Sequence, residues 1–372
     1  MPTASFAFLE ISGAPRLRGH AYGEGLRALI AERDRRWRHE IEIHAKAPAD
    51  AFIEKFLQRT DFLPAIDRWT PDLHDEVRGI AEGSGLPYRA VLAAQFIDEE
   101  WWFRRQPHAH CSSFGAAAAD GRCTLVGQTM DLPNWMDGFQ TLLLIRGAKP
   151  SLDAYVVTAA GMIALMGMNS RGLGVSVNTL LQLNHAVDGL PVAFVTRNLI
   201  QMAGLEDAVQ FLQRTRHASG QNYVIGDPVQ VRDFECGADC IAEFAGDRAK
   251  GRVWHTNHPL VNENLRPDRH GPSWQQKAKD SGARLAALER RMADGIPFSV
   301  DRARSMLACR DSLEFPVSQE IADADDGFTF AAMIAELGPE PRLMVAPGAP
   351  SRHSFAEFDF RTGFTAANRA AE

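Results

Sequence analysis

The 372-residue chain has no apolar run approaching the roughly 18 residues that a membrane-spanning helix needs. Its first residues, MPTASFAFLEISGAPRLRG, lack a basic stretch followed by an apolar one, so we expect no secretory signal. Five cysteines are an odd number and too few for a disulfide framework, which favours a reducing cytoplasm. The formal net charge of −7 gives no reason to expect nucleic acid or an anionic membrane as a partner.

Motifs for metals and nucleotides are also scarce. Gly83-Ser84-Gly85 lacks the third glycine and the preceding strand of a dinucleotide-binding fingerprint. Cys236 and Cys240 form the only short-spaced cysteine pair, whereas zinc sites usually show paired Cys or His ligands. A zinc site built from His108, His110 and Cys111 with His255 and His258 stays open as an alternative, but we expect no metal and no cofactor.

Residues 1–107 predict a helical layer that contains one strand, over 5–12. Leu29, Ile30, Trp37 and Ile41 recur at the spacing of an amphipathic helix. Thr70-Pro71 predicts a helix start with a hydroxyl N-cap and proline in the first turn. The pair Trp101-Trp102 is expected in the core, because aromatic side chains mostly bury area.

After residue 111 the pattern changes to short apolar runs separated by tight turns. Helices are expected over 192–202, 206–215, 281–292 and 300–308. Strands are expected over 113–118, 123–129, 141–146, 154–159, 162–168, 173–178, 221–225, 229–234, 240–243, 253–256, 343–346 and 355–360. This order predicts an α+β fold, a four-layer αββα sandwich formed by 111–372, with 1–110 retained on it as a helical N-terminal chain.

Cys111 lies where the helical pattern gives way to the strand pattern. If the His110–Cys111 bond breaks, Cys111 gains an α-amine with a pKa near ~8, beside a thiol nucleophile. One residue then supplies both nucleophile and base. A buried structural cysteine, or an intact-chain Cys–His pair with His255 or His258 as base, stays open as an alternative.

Several motifs in order carry a resemblance to a known family. The chain resembles the acyl-coenzyme A:6-aminopenicillanic-acid acyltransferase family, a cysteine branch of the N-terminal nucleophile hydrolases, and more distantly choloylglycine hydrolases and acid ceramidase. The stretches that carry it are Gly13-Ala14-Pro15-Arg16-Leu17-Arg18-Gly19, Glu76-Val77-Arg78-Gly79-Ile80-Ala81-Glu82-Gly83, Cys111-Ser112-Ser113, Gly127-Gln128-Thr129-Met130-Asp131, Gly172-Leu173-Gly174-Val175-Ser176-Val177-Asn178, His255-Thr256-Asn257-His258-Pro259 and Ser281-Gly282-Ala283-Arg284 with Leu288.

The resemblance implies self-cleavage between His110 and Cys111, followed by catalysis through a Cys111 thioester. An oxyanion needs donors that cannot ionise, so Asn257 is the expected first donor and Asn178 a second donor or an orienter of the amine. Asp131 would hold the α-ammonium or orient the thiol. Arg284 would balance Asp131 or bind a carboxylate.

Two positions depart from the family pattern. His110 precedes the nucleophile where the founding acyltransferase has glycine, and Thr129 stands where asparagine is commoner. Neither change removes a catalytic group.

The expected protein is therefore a self-cleaving amidohydrolase or acyltransferase. Its partner is a small N-acyl or acyl-thioester substrate, and its two cleaved chains stay associated, with further homo-oligomerisation left open. The alternatives are an unprocessed relative that binds a small ligand, and an acyl-coenzyme A-dependent N-acyltransferase.

Overall fold

A computed structural model describes residues 6–104, 111–267, 272–321, 327–361 and 363–364. His108 and His110 lie outside the described residues, and so does the peptide bond between residues 110 and 111. The helices are α1 (Pro15–Gly25), α2 (Arg27–Ala45), α3 (Ala49–Gln58), α4 (Leu63–Trp69), α5 (Pro71–Ser84), α6 (Tyr88–Ala93), α7 (Ile97–Arg104), α8 (Val192–Ile200), α9 (Leu205–Arg214), α10 (Pro272–Met292) and α11 (Val300–Leu307).

Strands and one short 3₁₀ helix, over Asn134–Met136, make up the rest of the described regular structure. They are β1 (Ala7–Ser12), β2 (Ser112–Ala116), β3 (Thr124–Leu132), β4 (Gln140–Lys149), β5 (Leu152–Ala159), β6 (Met166–Asn169), β7 (Gly174–Thr179), β8 (Gln221–Gly226), β9 (Val231–Cys236), β10 (Ile241–Glu243), β11 (Arg252–His255), β12 (Phe328–Leu337), β13 (Arg342–Ala346), β14 (Ala356–Asp359) and β15 (Gly363–Phe364).

Two sheets pack face to face and form the centre of the fold. One has the order β1-β4-β5-β6-β7-β8-β9-β10 and the other β11-β2-β3-β12-β13-β14-β15. Strands β2 and β3 of the second sheet contact β7 and β8 of the first. Helices α8 and α9 cover the first sheet, and α10 and α11 cover the second. The predicted αββα sandwich is therefore confirmed, and its pairing is antiparallel except where β1 lies parallel to β4.

The sandwich is not formed by 111–372 alone, contrary to the prediction, because the N-terminal segment adds β1 beside β4; two helices of that segment, α1 and α5, also pack closely together. Helices α1 and α5 approach so tightly that a Cβ on Gly79 would lie 2.1 Å from the carbonyl oxygen of Arg16. A Cβ on Gly19 would lie 2.0 Å from the carbonyl oxygen of Glu76. Glycine at these positions lets the two backbones meet, which gives a physical reason for the spacing of the glycines in both helices.

Some local predictions differ from the structure. Helix α5 does begin at Pro71, but the Thr70 hydroxyl makes no cap and instead donates to the carbonyl of Ile66 at 3.2 Å. Strand β3 is longer than predicted and includes Asp131. None of the helices in the described part of the chain is both long and apolar enough to cross a bilayer.

Candidate active site

Cys111 lies immediately before β2, the strand between β11 and β3, and only 3% of its surface is exposed. Its Sγ is 3.6 Å from the sulfur of Met130 and accepts from the backbone N–H of Asp131 at 3.5 Å. Burial, together with the negative charge of Asp131, raises the pKa of the Cys111 thiol to about 12. The thiol therefore needs a nearby base before it can act as a nucleophile.

Arg284 on α10 connects Cys111 to the segment after β11. Its Nη1 donates to the carbonyl oxygen of Cys111 at 2.6 Å and to Ser112 Oγ at 3.1 Å. Its Nη2 donates to Oδ1 of Asn257 at 3.1 Å, and its Nε donates to Asp280 at 2.8 Å. The side chain is fully buried, so the alternative of a solvated helix face is wrong for Arg284.

Asn257 is buried, and both its side chain and its backbone are hydrogen-bonded. Its Oδ1 faces Arg284, its Nδ2 donates to the carbonyl of Thr179 at 3.0 Å, and its backbone N–H donates to Ser281 Oγ at 2.8 Å. The Arg284 contact fixes which end of the amide is oxygen, because a guanidinium only donates. Nδ2 carries two N–H groups, so one remains to serve an oxyanion.

The backbone N–H of Asp131 contacts the thiol of Cys111, and the carboxyl group of Asp131 is buried. Neither carboxyl oxygen has a hydrogen-bond partner among the described residues. Burial raises the pKa of Asp131 to about 7, against the opposing positive charge of Arg284. A buried carboxyl group without a hydrogen-bond partner can bind a cation.

Asn178 lies on β7 of the first sheet and contacts β2 of the second sheet. Its Oδ1 accepts from the hydroxyl of Ser113, two residues after the nucleophile, whereas its buried Nδ2 has no partner among the described residues. The contacts of the described residues join Asn178 to Ser113 and not to Arg284 or Asn257. The structure thus brings Cys111, Asp131, Asn257 and Arg284 together and leaves Asn178 one step removed.

Sequence reasoning missed Gln128. Its buried side-chain amide spans the two sheets, because Nε2 donates to the carbonyl of Val177 at 2.5 Å and Oε1 accepts from the Val177 N–H at 2.9 Å. Gln128 therefore fixes β3 against β7 beside the site. Gln128 lies in the stretch from Gly127 to Asp131, which resembles the family, and this position was the available signal in the sequence for its role.

A small, largely apolar cavity of about 20 Å³ adjoins Cys111. Met130, Leu132, Leu165 and Val177 are among the side chains that line it. Helix α7 adds Asp98 and Trp101 to its wall. Trp101 is buried, as predicted, and it also lines this cavity. No sequence motif pointed to Asp98.

The two histidines considered as alternative bases are engaged elsewhere. His255 binds Glu235 through Nε2 and the carbonyl of Thr256 through Nδ1, each at 2.8 Å. His258 Nδ1 lies 2.6 Å from Ser281 Oγ, and burial lowers the pKa of His258 to about 4. Neither histidine has a described contact with Cys111, so the geometry does not favour an intact-chain Cys–His pair. Within the described residues, no group of three His, Cys, Asp or Glu side chains could hold a metal ion.

Comparisons with known proteins agree with the motifs. The chain is 24% identical over 252 residues to the acyl-coenzyme A:6-aminopenicillanic-acid-acyltransferase 40 kDa form of Emericella nidulans, which covers 66% of this chain and 67% of that protein. A mutant conjugated bile acid hydrolase from Clostridium perfringens is similar in structure, with 14% identity, a TM-score of 0.44, and coverage of 67% of this chain and 92% of that one. Penicillin V acylase from Agrobacterium tumefaciens gives 13% identity, a TM-score of 0.43, and coverage of 68% and 87%.

Residues 118–330, more than half of the chain, match the family described as Acyl-coenzyme A:6-aminopenicillanic acid acyl-transferase. The chain therefore belongs to the acyl-coenzyme A:6-aminopenicillanic acid acyl-transferase family.

Proposed function

We propose that this protein is an enzyme that cleaves itself before Cys111 and then hydrolyses or transfers the acyl group of a small amide or thioester. Family membership supports acyl chemistry. The observation that carries the proposal is the position of Arg284, which binds both the backbone carbonyl of Cys111 and the side chain of Asn257. One buried cation thereby positions the candidate nucleophile relative to the candidate oxyanion donor.

Self-cleavage begins with attack of Cys111 Sγ on the carbonyl carbon of His110. The C–N bond breaks as the C–S bond forms, and the nitrogen takes the proton released by the thiol, which leaves a thioester on Cys111. Water then hydrolyses the thioester and gives the His110 carboxylate and a Cys111 that carries a free α-amine and a free thiol.

In the cleaved enzyme the α-amine is the base that the buried thiol lacks. It takes the thiol proton as sulfur attacks the substrate carbonyl, and then gives that proton to the leaving amine. Asn257 donates to the oxyanion, while the unpartnered carboxyl of Asp131 stabilises the ammonium form of the amine. Water or a second amine then removes the acyl group from sulfur.

Self-cleavage is tested by replacing the nucleophile. Cys111→Ala should give one full-length band on a denaturing gel, whereas Cys123→Ala, altered at the cysteine just before β3, should be cleaved like the parent. Edman sequencing of the larger parent fragment should begin Cys-Ser-Ser-Phe-Gly. An intact parent chain after long incubation, with the same band pattern as Cys111→Ala, would instead support the unprocessed ligand-binding alternative.

The choice between hydrolysis and transfer needs a substrate panel. The cleaved protein is incubated with N-acyl amino acids, lactams and acyl-thioesters, and products are identified by mass. Release of free acid from an amide supports the hydrolase. An N-acylated product that forms only when an acyl-thioester is present supports the acyl-coenzyme A-dependent alternative.

A further inference from the structure

Glu235 is a fully buried carboxylate on β9 of the first sheet. Each of its two oxygens accepts two hydrogen bonds. Oε1 accepts from His255 Nε2 at 2.8 Å, and the two oxygens together accept from the backbone N–H groups of residues 260–262 at 2.5, 3.1 and 2.6 Å. Three of the four donors are backbone groups, so the side chains of 260–262 are not needed for this contact. The donors come from both sides of Asn257 in the sequence.

The contact between Glu235 and His255 is a buried ion pair that joins the two sheets. His255 Nδ1 lies 2.8 Å from the carbonyl oxygen of Thr256, so both ring nitrogens face groups that accept, and the ring is an imidazolium. Burial would lower the pKa of His255, but Glu235 and Asp233 outweigh it and raise the pKa. Burial would raise the pKa of Glu235, but His255 and the backbone donors outweigh it and lower the pKa. Separation of such a pair would leave an uncompensated buried charge.

The segment between these contacts carries the proposed oxyanion donor. Asn257 follows His255 by two positions, and only residues 256–259 separate His255 from the first backbone donor. Pro259 lies in this segment and has a fixed φ. A segment this short, with both ends bound to one carboxylate, has few conformations open to it.

Further contacts hold the middle of the segment and set the direction of the amide. Ser281 Oγ on α10 accepts from the Asn257 N–H at 2.8 Å and donates to Oγ1 of Thr256 at 2.9 Å. The Asn257 amide donates to the carbonyl of Thr179 on β7, in the same sheet as Glu235. Glu235 thus binds the backbone of the segment to the sheet that also orients the Asn257 amide.

We propose that Glu235, through its contacts with His255 and residues 260–262, is a positioning residue for the oxyanion donor Asn257. This inference rests on the proposed function, in which Asn257 donates to the oxyanion. Glu235 does not touch the substrate and acts only by fixing the place of Asn257. Its loss should therefore lower kcat and leave KM nearly unchanged, because the oxyanion develops in the transition state and not in the bound substrate.

Steady-state hydrolysis of butanoyl p-nitroanilide by the cleaved enzyme tests this role. Glu235→Gln should lower kcat by about 10- to 100-fold and change KM by less than about threefold, since misplacement of a catalytic group by about 1 Å can cost about 10²-fold. In an Asn257→Ala background the same substitution should lower kcat by less than about twofold, because the group that it positions is absent. An unchanged kcat in Glu235→Gln, or an equal further loss in the Asn257→Ala background, overturns the inference.

Asp233→Asn is the matched control for charge. Asp233 is buried two positions earlier on β9, and its carboxyl oxygens accept no hydrogen bond from the described residues 255–262. This variant should keep the kcat of the parent. Equal losses in Asp233→Asn and Glu235→Gln would assign the effect to negative charge near His255 rather than to the contacts of Glu235, and would overturn the inference.

His255 supplies a second pair of variants that keeps the inference testable if Glu235→Gln does not fold. His255→Gln has an amide nitrogen in the place of Nε2 and can still donate to Glu235, whereas His255→Leu has no donor. The kcat of His255→Gln should be close to that of the parent, and the kcat of His255→Leu should be about tenfold lower. The same kcat in both variants would overturn the inference.

Hydrogen exchange separates this role from the proposed catalysis. In the uncleaved Cys111→Ala chain, residue-resolved mass spectrometry follows the backbone N–H of Asn257, which is bound to Ser281 and not to Glu235. Glu235→Gln should speed its exchange by at least about tenfold, and Asp233→Asn should not. If the parent hydrolyses no amide or thioester but this difference is present, the positioning by Glu235 stands and the proposed function fails. Exchange of the Asn257 N–H at the parent rate in Glu235→Gln overturns the inference whatever the activity.

Discussion

Asn257, the proposed oxyanion donor, also supports the fold through its hydrogen bonds. It is buried and hydrogen-bonded, so the alternative of a simple turn asparagine does not describe it. Its truncation has two separable effects, because the amide both supports the fold and has one N–H left for an oxyanion.

We expect Asn257→Ala to lower kcat by roughly 10²–10³, the usual cost of losing one oxyanion donor. It should also lower the free energy of unfolding by about 1–3 kcal/mol, since Thr179 and Arg284 each lose a partner. Asn262→Ala is the matched control, because Asn262 is also buried and donates to the carbonyls of Glu235 and Cys240. It should lose similar stability and keep its turnover. Equal turnover losses in the two variants would remove Asn257 from the catalytic group.

Asp131 gives a prediction about pH. Its pKa is about 7 in the folded chain against an ordinary value of 3.8, so the folded state binds the proton more tightly. The resulting stability is present below the ordinary pKa and is lost as pH rises to about 7. In an uncleaved Cys111→Ala background, Asp131→Asn should therefore raise the melting temperature increasingly from pH 4 to pH 8. A difference that does not change with pH would contradict this.

A control separates this stability effect from catalysis. Asp233 is a second buried carboxyl whose pKa burial raises to about 7. Asp233→Asn should show the same direction of pH dependence in stability. In the cleaved enzyme, Asp131→Asn should lower turnover strongly, whereas Asp233→Asn should not.

Among the helices, the α1–α5 contact is the most sensitive to a single methyl group. We expect Gly79→Ala to destabilise the fold by several kcal/mol, because its Cβ would meet backbone atoms that cannot move independently. Gly282→Ala in α10 is the control, since its Cβ would meet nothing within 4 Å and alanine is the better helix former. Thermal unfolding should show a loss for the first variant and a gain of up to about 1 kcal/mol for the second.

Across the whole molecule, a buried ion-pair group joins the N-terminal segment to the sandwich. Glu76 of α5 accepts from Arg18 Nε and from Arg197 Nη1 of α8, each at 2.9 Å, and all three side chains are buried. Burial would raise the pKa of Glu76, but the charges of Arg197 and Arg18 outweigh it and lower the pKa. Ile30, Trp37 and Ile41 add apolar contacts to the same core.

We therefore expect 1–110 and 111–372 to stay together after cleavage. Native mass spectrometry should show one complex, and denaturing analysis should show two chains. Glu76→Gln should separate the chains at lower urea, because breaking a buried ion pair costs about 3–5 kcal/mol. Glu82→Gln is the control, since its partner Arg16 is half-exposed and such pairs contribute little. Separation of the parent chains in native buffer would contradict the expectation.

The sequence by itself determined the αββα class and the family, but the order of strands was incomplete, because the central strand β12 was not predicted. Helical and strand periodicities are local, and each motif that resembles the family is a contiguous stretch. Both can therefore be recognised in the sequence without a structure. The same contiguity explains why Cys111, Asp131, Asn257 and Arg284 could be named in advance. Strand boundaries were less accurate, as at β3, because its end depends on pairing with β12.

Only the tertiary structure decided which of those residues meet. Arg284 and Cys111 are 173 positions apart in sequence, and no local pattern encodes the hydrogen bond between them. The packing of the two sheets likewise set Asn178 against Ser113 and gave Gln128 its bridging role. Asp98 faces the cavity because α7 packs across the end of β7, where Thr179 binds its carboxyl. These contacts depend on long-range packing, in which distant segments are brought together by burial rather than by sequence spacing.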